Sequence, residues 1–590
     1  MEQNINDDGI VVGIDLGTTN SLIATFIDGK AIIIPNERGE YSTPSVVGVN
    51  ENNKILVGKI AKERLITNPE LTTSLFKRDM GTNKKVKLGK KNFSPEELSC
   101  FILRQLISDA EKYLNKKVVE AVISVPAYFN AKQRAATKLA GTLAGVKVER
   151  LINEPSAAAL ALREKDADET FIVFDFGGGT LDVSIVESFD NIINICSISG
   201  NNFLGGMDFD KAIVNAICAE NNIDQKSLTQ QESQILLKAA EAAKIKLQDV
   251  NHAYIELQIK DKKIEFDLSN ERLYSLSTEI FAQIKKPIKA AVKDSKLSVS
   301  EISKCILVGG SCNMPVVLDF LESLLRVPVA NNDSTDLDQL VAVGLGVYVG
   351  IKQREQVVKD LVLTDICPFS LNTGIHNYDN PDRLITSTII PRNTILPTSK
   401  TIPLYTVNLG QTEIKVDITQ GEQFYSDENI LLGSVKTKIP HNVKEYEKIE
   451  VTYYYDINAI LIVKVKVMST GEEQTLALSG DGHTLTERQT EKYIENILNI
   501  KLGHYTRRDL LLEKAKRMYT EAVHDMQRED FKHIILNLEQ LTIGGSIKKT
   551  NETLDKFEEY LNYYENAQED DGIFNDVHTF LKLVKGGTDE

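Results

Sequence analysis

The run Val11-Val12-Gly13-Ile14-Asp15-Leu16-Gly17-Thr18-Thr19 returns later in the chain as Ile172-Val173-Phe174-Asp175-Phe176-Gly177-Gly178-Gly179-Thr180. Each copy is an apolar strand closing on an aspartate, then a glycine/threonine turn, then a second alternating strand, Ser21 to Ile27 and Leu181 to Val186. A duplicated strand-turn-strand unit predicts two similar lobes, each presenting a glycine turn. Glycines in a tight turn leave backbone N–H groups free to face phosphate oxygens, threonine hydroxyls add donors, and a strand-end aspartate can hold hydrated Mg²⁺. Neither turn is a Walker A loop, because no Gly-Lys-Ser/Thr follows and each runs into a strand rather than a helix. One such turn alone would read as a plain hairpin; two matched copies read as a clamp on a phosphorylated ligand. A third turn, Val308-Gly309-Gly310-Ser311, follows a buried-strand run and lets a flat base approach the backbone.

Outward from these turns, helical and strand patterns alternate to about residue 355. Glu96 to Leu114 and Asn130 to Ala144 carry apolar residues at spacings of three and four, while Ala121 to Val125 and Lys304 to Val308 are short buried-strand runs. This part is α/β. Asp360-Leu361-Val362-Leu363 is a short apolar stretch between charged segments, and Asp365 to about Ser479 reads as short alternating strands, including Thr412 to Thr419, Lys448 to Tyr455 and Leu461 to Val467. From Thr486 the period becomes helical and proline disappears, which predicts a C-terminal helical bundle.

Composition bounds the function. The chain has 590 residues, 42% hydrophobic and 26% charged, which excludes wholesale disorder and, at roughly 100–200 residues per domain, predicts three to five compact units. A net charge of −16 disfavours nucleic acid and anionic membranes as partners. The start, MEQNINDDG, has no apolar leader, and the longest apolar run, Leu340 to Ile351, falls short of a membrane span of about 20 residues. The six cysteines (100, 196, 218, 305, 312, 367) show no metal-ligand spacing and suit reduced, mostly buried thiols of a cytoplasmic protein. Every histidine lies at or beyond His252, so chemistry in the N-terminal half falls to carboxylates, lysines and backbone amides.

Further blocks recur in a fixed order: Ile123-Ser124-Val125-Pro126-Ala127-Tyr128-Phe129, Leu151-Ile152-Asn153-Glu154-Pro155, Asn201-Asn202-Phe203-Leu204-Gly205-Gly206, Asp360 to Leu363, and Ile390-Pro391-Arg392-Asn393-Thr394. With the two phosphate turns, they resemble the 70-kDa heat-shock chaperones of the DnaK type, within the actin, hexokinase and chaperone ATPase superfamily. Gly39-Glu40-Tyr41-Ser42-Thr43-Pro44-Ser45 and Leu75-Phe76-Lys77-Arg78-Asp79-Met80-Gly81 resemble the divergent bacterial branch named HscC. The resemblance implies a multidomain chain: an N-terminal extension (1–9), an α/β two-lobed actin-like ATPase domain (10–355), a linker (356–365), an antiparallel β-sandwich that binds peptide (366–485) and a helical lid covering it (486–590). It implies an ATP-dependent molecular chaperone that binds and releases extended hydrophobic segments of unfolded proteins, coupled through the linker to slow ATP hydrolysis.

By the same resemblance, Lys77 and Glu154 orient and activate the attacking water, and Asp15, Asp175 and Asp182 place Mg²⁺, largely through water. Gly17, Thr18, Thr19, Gly177, Gly178, Gly179 and Thr180 hold the β- and γ-phosphates of ATP or ADP. Gly205, Gly206, Glu241, Lys244, Gly309, Gly310, Ser311, Asn313 and Asp338 complete the nucleotide site. Leu404, Val407, Ile414 and Val416 match the peptide pocket; without the resemblance they would read as sandwich core. Pro126, Arg134, Arg150, Asp360, Leu361, Val362, Leu363 and Asp365 match positions that carry the signal between domains, the linker docking on the ATPase when ATP is bound. The partners implied are hydrophobic peptides, a J-domain co-chaperone and an uncertain exchange factor.

Departures from the family pattern also have expected consequences. Ile245 and Asn313 stand where arginine stems commonly sandwich adenine, and Met207 replaces an acidic residue, which predicts a weaker nucleotide grip. The stretch from Lys77 to Pro126 is short, so exchange factors gripping it would fit poorly. Asparagines within Glu187 to Ile198 point to a dedicated or weakly bound J-domain partner. The loop from Asn372 to Thr388 is expected to be long. Two other readings stand beside the chaperone: an ATP-gated regulatory or exchange-type binding protein with little turnover, and a small-molecule kinase of the same superfamily.

Overall fold

The computed structural model describes residues 9–163, 168–260, 262–330, 336–378, 380–457, 460–478, 487–541 and 547–566. Nearly all of the expected N-terminal extension, and Thr486, where the helical period was expected to begin, lie outside the described residues.

The duplicated motif builds two equivalent sheets. Ile10–Asp15 pairs antiparallel with Asn20–Ile27 and parallel with Val118–Val125. Glu169–Phe176 pairs antiparallel with Leu181–Phe189 and parallel with Lys304–Val308. Both Asp-ending strands are therefore central and buried on both faces, which explains why each reads as a continuous apolar run. Helices flank them, and their starts were legible: Pro95–Leu114 begins at a Ser94/Glu97 capping box with Pro95 at its first position, and Ala131–Leu143 at an Asn130/Gln133 box.

The long apolar run becomes the helix Leu340–Lys352, buried where the lobes meet. A Cβ at Gly344 would stand 1.7 Å from the Ala157 carbonyl oxygen, so glycine there lets this helix lie directly on the helix Glu154–Leu162. Among the described residues no helix is long and apolar enough to cross a membrane.

Beyond the lobes, two four-stranded antiparallel sheets form the expected β-sandwich. One orders Ile385–Ile390, Leu371–Ile375, Glu413–Gln420 and Ile430–Lys438; the other orders Thr398–Tyr405, Lys448–Tyr455, Leu461–Val467 and Glu473–Leu478. Alternate inward residues such as Val451, Tyr453, Val463 and Val465 fill the space between them. The long loop expected from Asn372 to Thr388 is about half strand: Leu371–Ile375 pairs with Ile385–Ile390, and the described residues between them, 376–378 and 380–384, are not strand. Alternation there is weak, and pairing across the turn decided it.

The helical end follows as Glu487–Leu498, Arg507–Glu521, Asp525–Gln540 and Ile547–Asn566, the last three sharing a core that includes Leu511, Phe531, Ile534 and Phe557. It was expected to cover the sandwich as a lid. Instead it packs its apolar residues on the first lobe and makes ion pairs with the second: Ile497 joins the first lobe's core, Leu510 packs with Val46, Leu56 and Ile60, Gly503 N–H donates to the Ile55 carbonyl at 2.7 Å, and Glu521 meets Lys238 of the second lobe. The apolar face of a helix does not specify which of two apolar surfaces it meets, so this docking could not be read from its period.

Candidate functional site

The three glycine turns converge in the cleft between the lobes. Gly206 N–H donates to the Gly177 carbonyl and Met207 N–H to that of Gly178, both at 3.0 Å. Ser311 Oγ donates to the Gly177 carbonyl at 2.9 Å. From the first lobe, Thr19 approaches so closely that a Cβ on Gly178 would lie 2.1 Å from its Oγ1, and a Cβ on Gly179 2.6 Å from Thr18 Cγ2. Glycine is required at these positions by close approach, and both expected phosphate turns form one cradle.

Beneath that cradle Lys77 Nζ lies 2.7 Å from Glu154 Oε1, both side chains buried. Pro155 at the start of the helix Glu154–Leu162 fixes where the carboxylate emerges. Asp15, Asp175, Thr180 and Asp182 are buried around the same cleft. Ser124 Oγ donates to Asp15 Oδ1 at 2.7 Å, and the Ala127 and Tyr128 N–H groups donate to Asp182 at 3.0 and 3.3 Å.

Burial, and after it the Glu154 charge, push the Asp15 and Asp182 carboxyls each up to about 7, and raise Asp175 as well. Asp175 Oδ2 is buried without a hydrogen-bond partner. Several carboxyls facing one another with a single lysine make a site short of positive charge, and a divalent cation with its water shell supplies what is missing. The residues present therefore fit Mg²⁺ and a polyphosphate. Among the described residues no group of three or more His, Cys, Asp or Glu is placed to hold an ion directly.

The base end is less uniform. Lys244 Nζ pairs with Asp210 at 2.6 Å and donates to the Gly206 carbonyl at 3.1 Å, so it braces the Gly205-Gly206 turn as well as flanking the site; Asp210 was not foreseen. Glu241 lies one turn before it, half-buried. A Cβ at Gly310 would touch Asp338 at 2.9 Å, and Gly309 takes φ +84, which favours glycine. Ile245 is half-exposed and Asn313 partly buried.

Sequence reading missed Arg78. Its Nε donates to the Gly179 carbonyl at 2.9 Å and its guanidinium pairs with Asp208 at 2.9 Å, joining the first lobe to two turns of the second. Its position beside Lys77 in the quoted block was the available signal. Ser124 lay equally visible between Ile123 and Val125.

Most of the residues expected to carry the signal between domains lie around the Asp360–Asp365 segment. Val362–Thr364 forms a parallel edge strand on Ile192–Asn201, with Val362 opposite Ile192 and Leu363 opposite Ile193. Leu361 is buried with Phe26, Val349 and Val358, while Val362 stays 50% exposed and Asp360 exposed. Asn191 and Asn194, read as departures, hold this strand: Val362 N–H donates to the Asn191 carbonyl at 2.8 Å and Thr364 Oγ1 to Asn194 Oδ1 at 2.7 Å. Asn153 Nδ2 donates to both oxygens of Asp365 at 2.8 Å. Arg134, buried beside Pro126, donates to the Ala127 and Phe129 carbonyls at 3.0 Å and to Asn153 Oδ1. Arg150 instead bonds and stacks on Tyr348, 4.8 Å from the ring centre.

In the sandwich, Val416 is core, at 2% exposure, as the residues alone suggested. Leu404 and Ile414 are half-buried against that core and Val407 is 41% exposed.

Two lobes closing glycine turns, buried carboxylates and a Lys-Glu pair on one cleft, with a docked linker, β-sandwich and helical end, define a multidomain two-lobed ATPase. The chain belongs to the Hsp70 family, whose model, described as Hsp70 protein, matches residues 11–87 and 82–572. It is 40% identical over 503 residues to the chaperone protein DnaK of Thermosipho melanesiensis, covering 82% of this chain and 83% of the relative. To that of Thermosipho africanus it is 36% identical over 576 residues, covering 93% and 95%. To that of Thermotoga petrophila it is 40% identical over 504 residues, covering 82% and 83%.

Proposed function

We propose that the chain is an ATP-dependent chaperone that captures and releases extended hydrophobic segments of unfolded proteins, its ATPase cleft speaking to the sandwich through the linker. The observation that carries this reading is the continuity of Lys77-Glu154 in the cleft with Asn153-Asp365 at the sandwich entrance. Adjacent residues of one strand end face the two sites, so a shift at one is felt at the other.

Lys77 donates to the attacking water and holds it in line, and the Glu154 carboxylate takes its proton; Thr18, Thr19, Gly178, Gly179, Thr180 and Arg78 hold the phosphates in place. Asp15, Asp175 and Asp182 would hold Mg²⁺ through its water, and the ion supplies neutralisation of phosphate charge. Phosphoryl transfer asks for positioning and charge compensation, which these groups provide without histidine. The docked linker corresponds to the state that the family resemblance implies with ATP bound.

The division into nucleotide-binding (10–355), linker (356–365), peptide-binding (366–485) and lid (486–590) segments belongs to this reading. So do a peptide pocket lined by Leu404, Val407 and Ile414, a J-domain partner meeting the Asn191 and Asn194 face, and a cytoplasmic location. Membership of the HscC branch rests on the Gly39–Ser45 and Leu75–Gly81 blocks alone. Single-turnover ATP hydrolysis with and without a hydrophobic peptide and a J-domain protein tests the whole: stimulation supports the chaperone, and indifference to both returns the chain to the ATP-gated regulator. Phosphate passed to a sugar would favour the kinase.

A further inference from the structure

One helix of the C-terminal end touches both walls of the nucleotide cleft. In Arg507–Glu521, Arg517 is 4% exposed and its Nε lies 2.5 Å from Glu63 on the first-lobe helix Lys59–Thr67. The same guanidinium holds Glu521 at 2.6 Å. Glu521 then presents both carboxylate oxygens to Lys238 Nζ at 2.8 Å, and Lys238 stands on the second-lobe helix Gln230–Lys246. Beside this chain of alternating charge, His524 Nε2 lies 3.3 Å from Glu256 on the second-lobe strand His252–Ile259.

We propose that the docked helical end is a strap that ties the two lobes together and slows nucleotide release. Opening the cleft moves the helix Gln230–Lys246 away from Lys59–Thr67, and that motion must break Arg517-Glu63 or the pairs that Lys238 makes with Glu521 and, at 3.9 Å, with Glu565, which Arg517 also holds. The arrangement is fit for the task. Arg517 is pre-paired at both ends, so docking on the first lobe orders Glu521 toward Lys238 at little further entropic cost. Lys238 shares its helix with Glu241 and Lys244, one to two turns further on, so the strap restrains the element that flanks the base. Release of the helical end from the first lobe frees both lobes at once, which makes lid position a control on exchange as well as on peptide access. The strap rests on the nucleotide occupying this cleft.

The test uses the full chain loaded with N-methylanthraniloyl-ATP and Mg²⁺ and chased with excess ATP in a stopped-flow instrument. Lys238→Glu and Glu521→Lys should each speed release about three- to tenfold, the scale of one partly buried ion pair. Combining the two restores the attraction between positions 238 and 521 but leaves the new lysine facing Arg517, so release should be slower than in Glu521→Lys without returning to the parental rate. Lys238→Met, which keeps the stem and removes the charge, should accelerate release in the same direction and guards against a misfolded charge variant. Release at the parental rate in all single variants overturns the strap, as does a double variant as fast as Glu521→Lys. Failure of the parent to bind the analogue is a separate result that overturns the nucleotide reading and the strap with it.

Discussion

Asn153 Nδ2 lies 2.8 Å from each oxygen of the Asp365 carboxylate, while the next residue, Glu154, pairs with Lys77 at 2.7 Å inside the cleft. Two neighbouring residues thus bind the buried lysine of the cleft, proposed above to position the water, and the entrance to the sandwich. Two hydrogen bonds to a charged group are worth roughly 1–3 kcal/mol each, enough to shift a docked-undocked equilibrium about tenfold or more. Asp365→Ala should therefore bring the ratio of peptide-stimulated to basal ATP hydrolysis toward one. A ratio equal to that of the parent would remove Asp365 from the coupling path.

Removing the cationic partner from the cleft attacks chemistry rather than coupling. Lys77→Met should retain binding of labelled ATP within a fewfold and lower single-turnover hydrolysis by about 10² to 10³, the range for one lost positioning donor. Turnover at the parental rate would show that Lys77 has no part in the step.

Leu361 buries its side chain with Phe26, Val349 and Val358, and fully burying a leucine is worth about 2–3 kcal/mol. Leu361→Asp replaces that gain with a buried charge and should undock the linker. Limited proteolysis between residues 356 and 365 should then run at least about tenfold faster in the presence of ATP; equal cleavage rates would contradict docking through Leu361.

Asp109, in the helix Pro95–Leu114 away from the cleft, is 4% exposed, and burial pushes its carboxyl from 3.8 up to about 6. A carboxyl whose folded pKa is raised favours folding below its unfolded pKa, and that advantage is lost as pH rises through about 6. Asp109→Asn keeps an oxygen for the Gln105 amide and should raise the melting midpoint at pH 8, by up to about 2 kcal/mol of stability, with no gain at pH 4. A gain of the same size at both pH values would assign the effect to packing.

The repeated Asp-Gly motif carried the two-lobed architecture because a period-2 apolar strand ending in a fixed turn specifies its own hairpin. Strand spans such as Lys448 to Tyr455 and Leu461 to Val467 were likewise local signals and were read correctly, and the helical spacing of Glu96 to Leu114 and Asn130 to Ala144 located two helices to within a residue, their caps at Ser94 and Asn130 going unremarked. The Lys77, Glu154 and Asp182 set was named in advance through its motifs, but nothing in their spacing says that they meet; separations of that length along the chain are closed only when both lobes pack on the helix Leu340–Lys352.

What the sequence determined by itself was every element whose cause is local: turn chemistry, alternation, and the absence of histidine before His252. Only the tertiary structure decided which surfaces meet: Arg78 crossing to Gly179 and Asp208, Asn191 and Asn194 holding the linker as an edge strand, and the helical end resting on the ATPase with Arg517 and Glu521 spanning its lobes. Apolar faces and long charged side chains accept many partners, and chain connectivity does not rank them. The choice follows from the summed burial and ion pairing of whole domains.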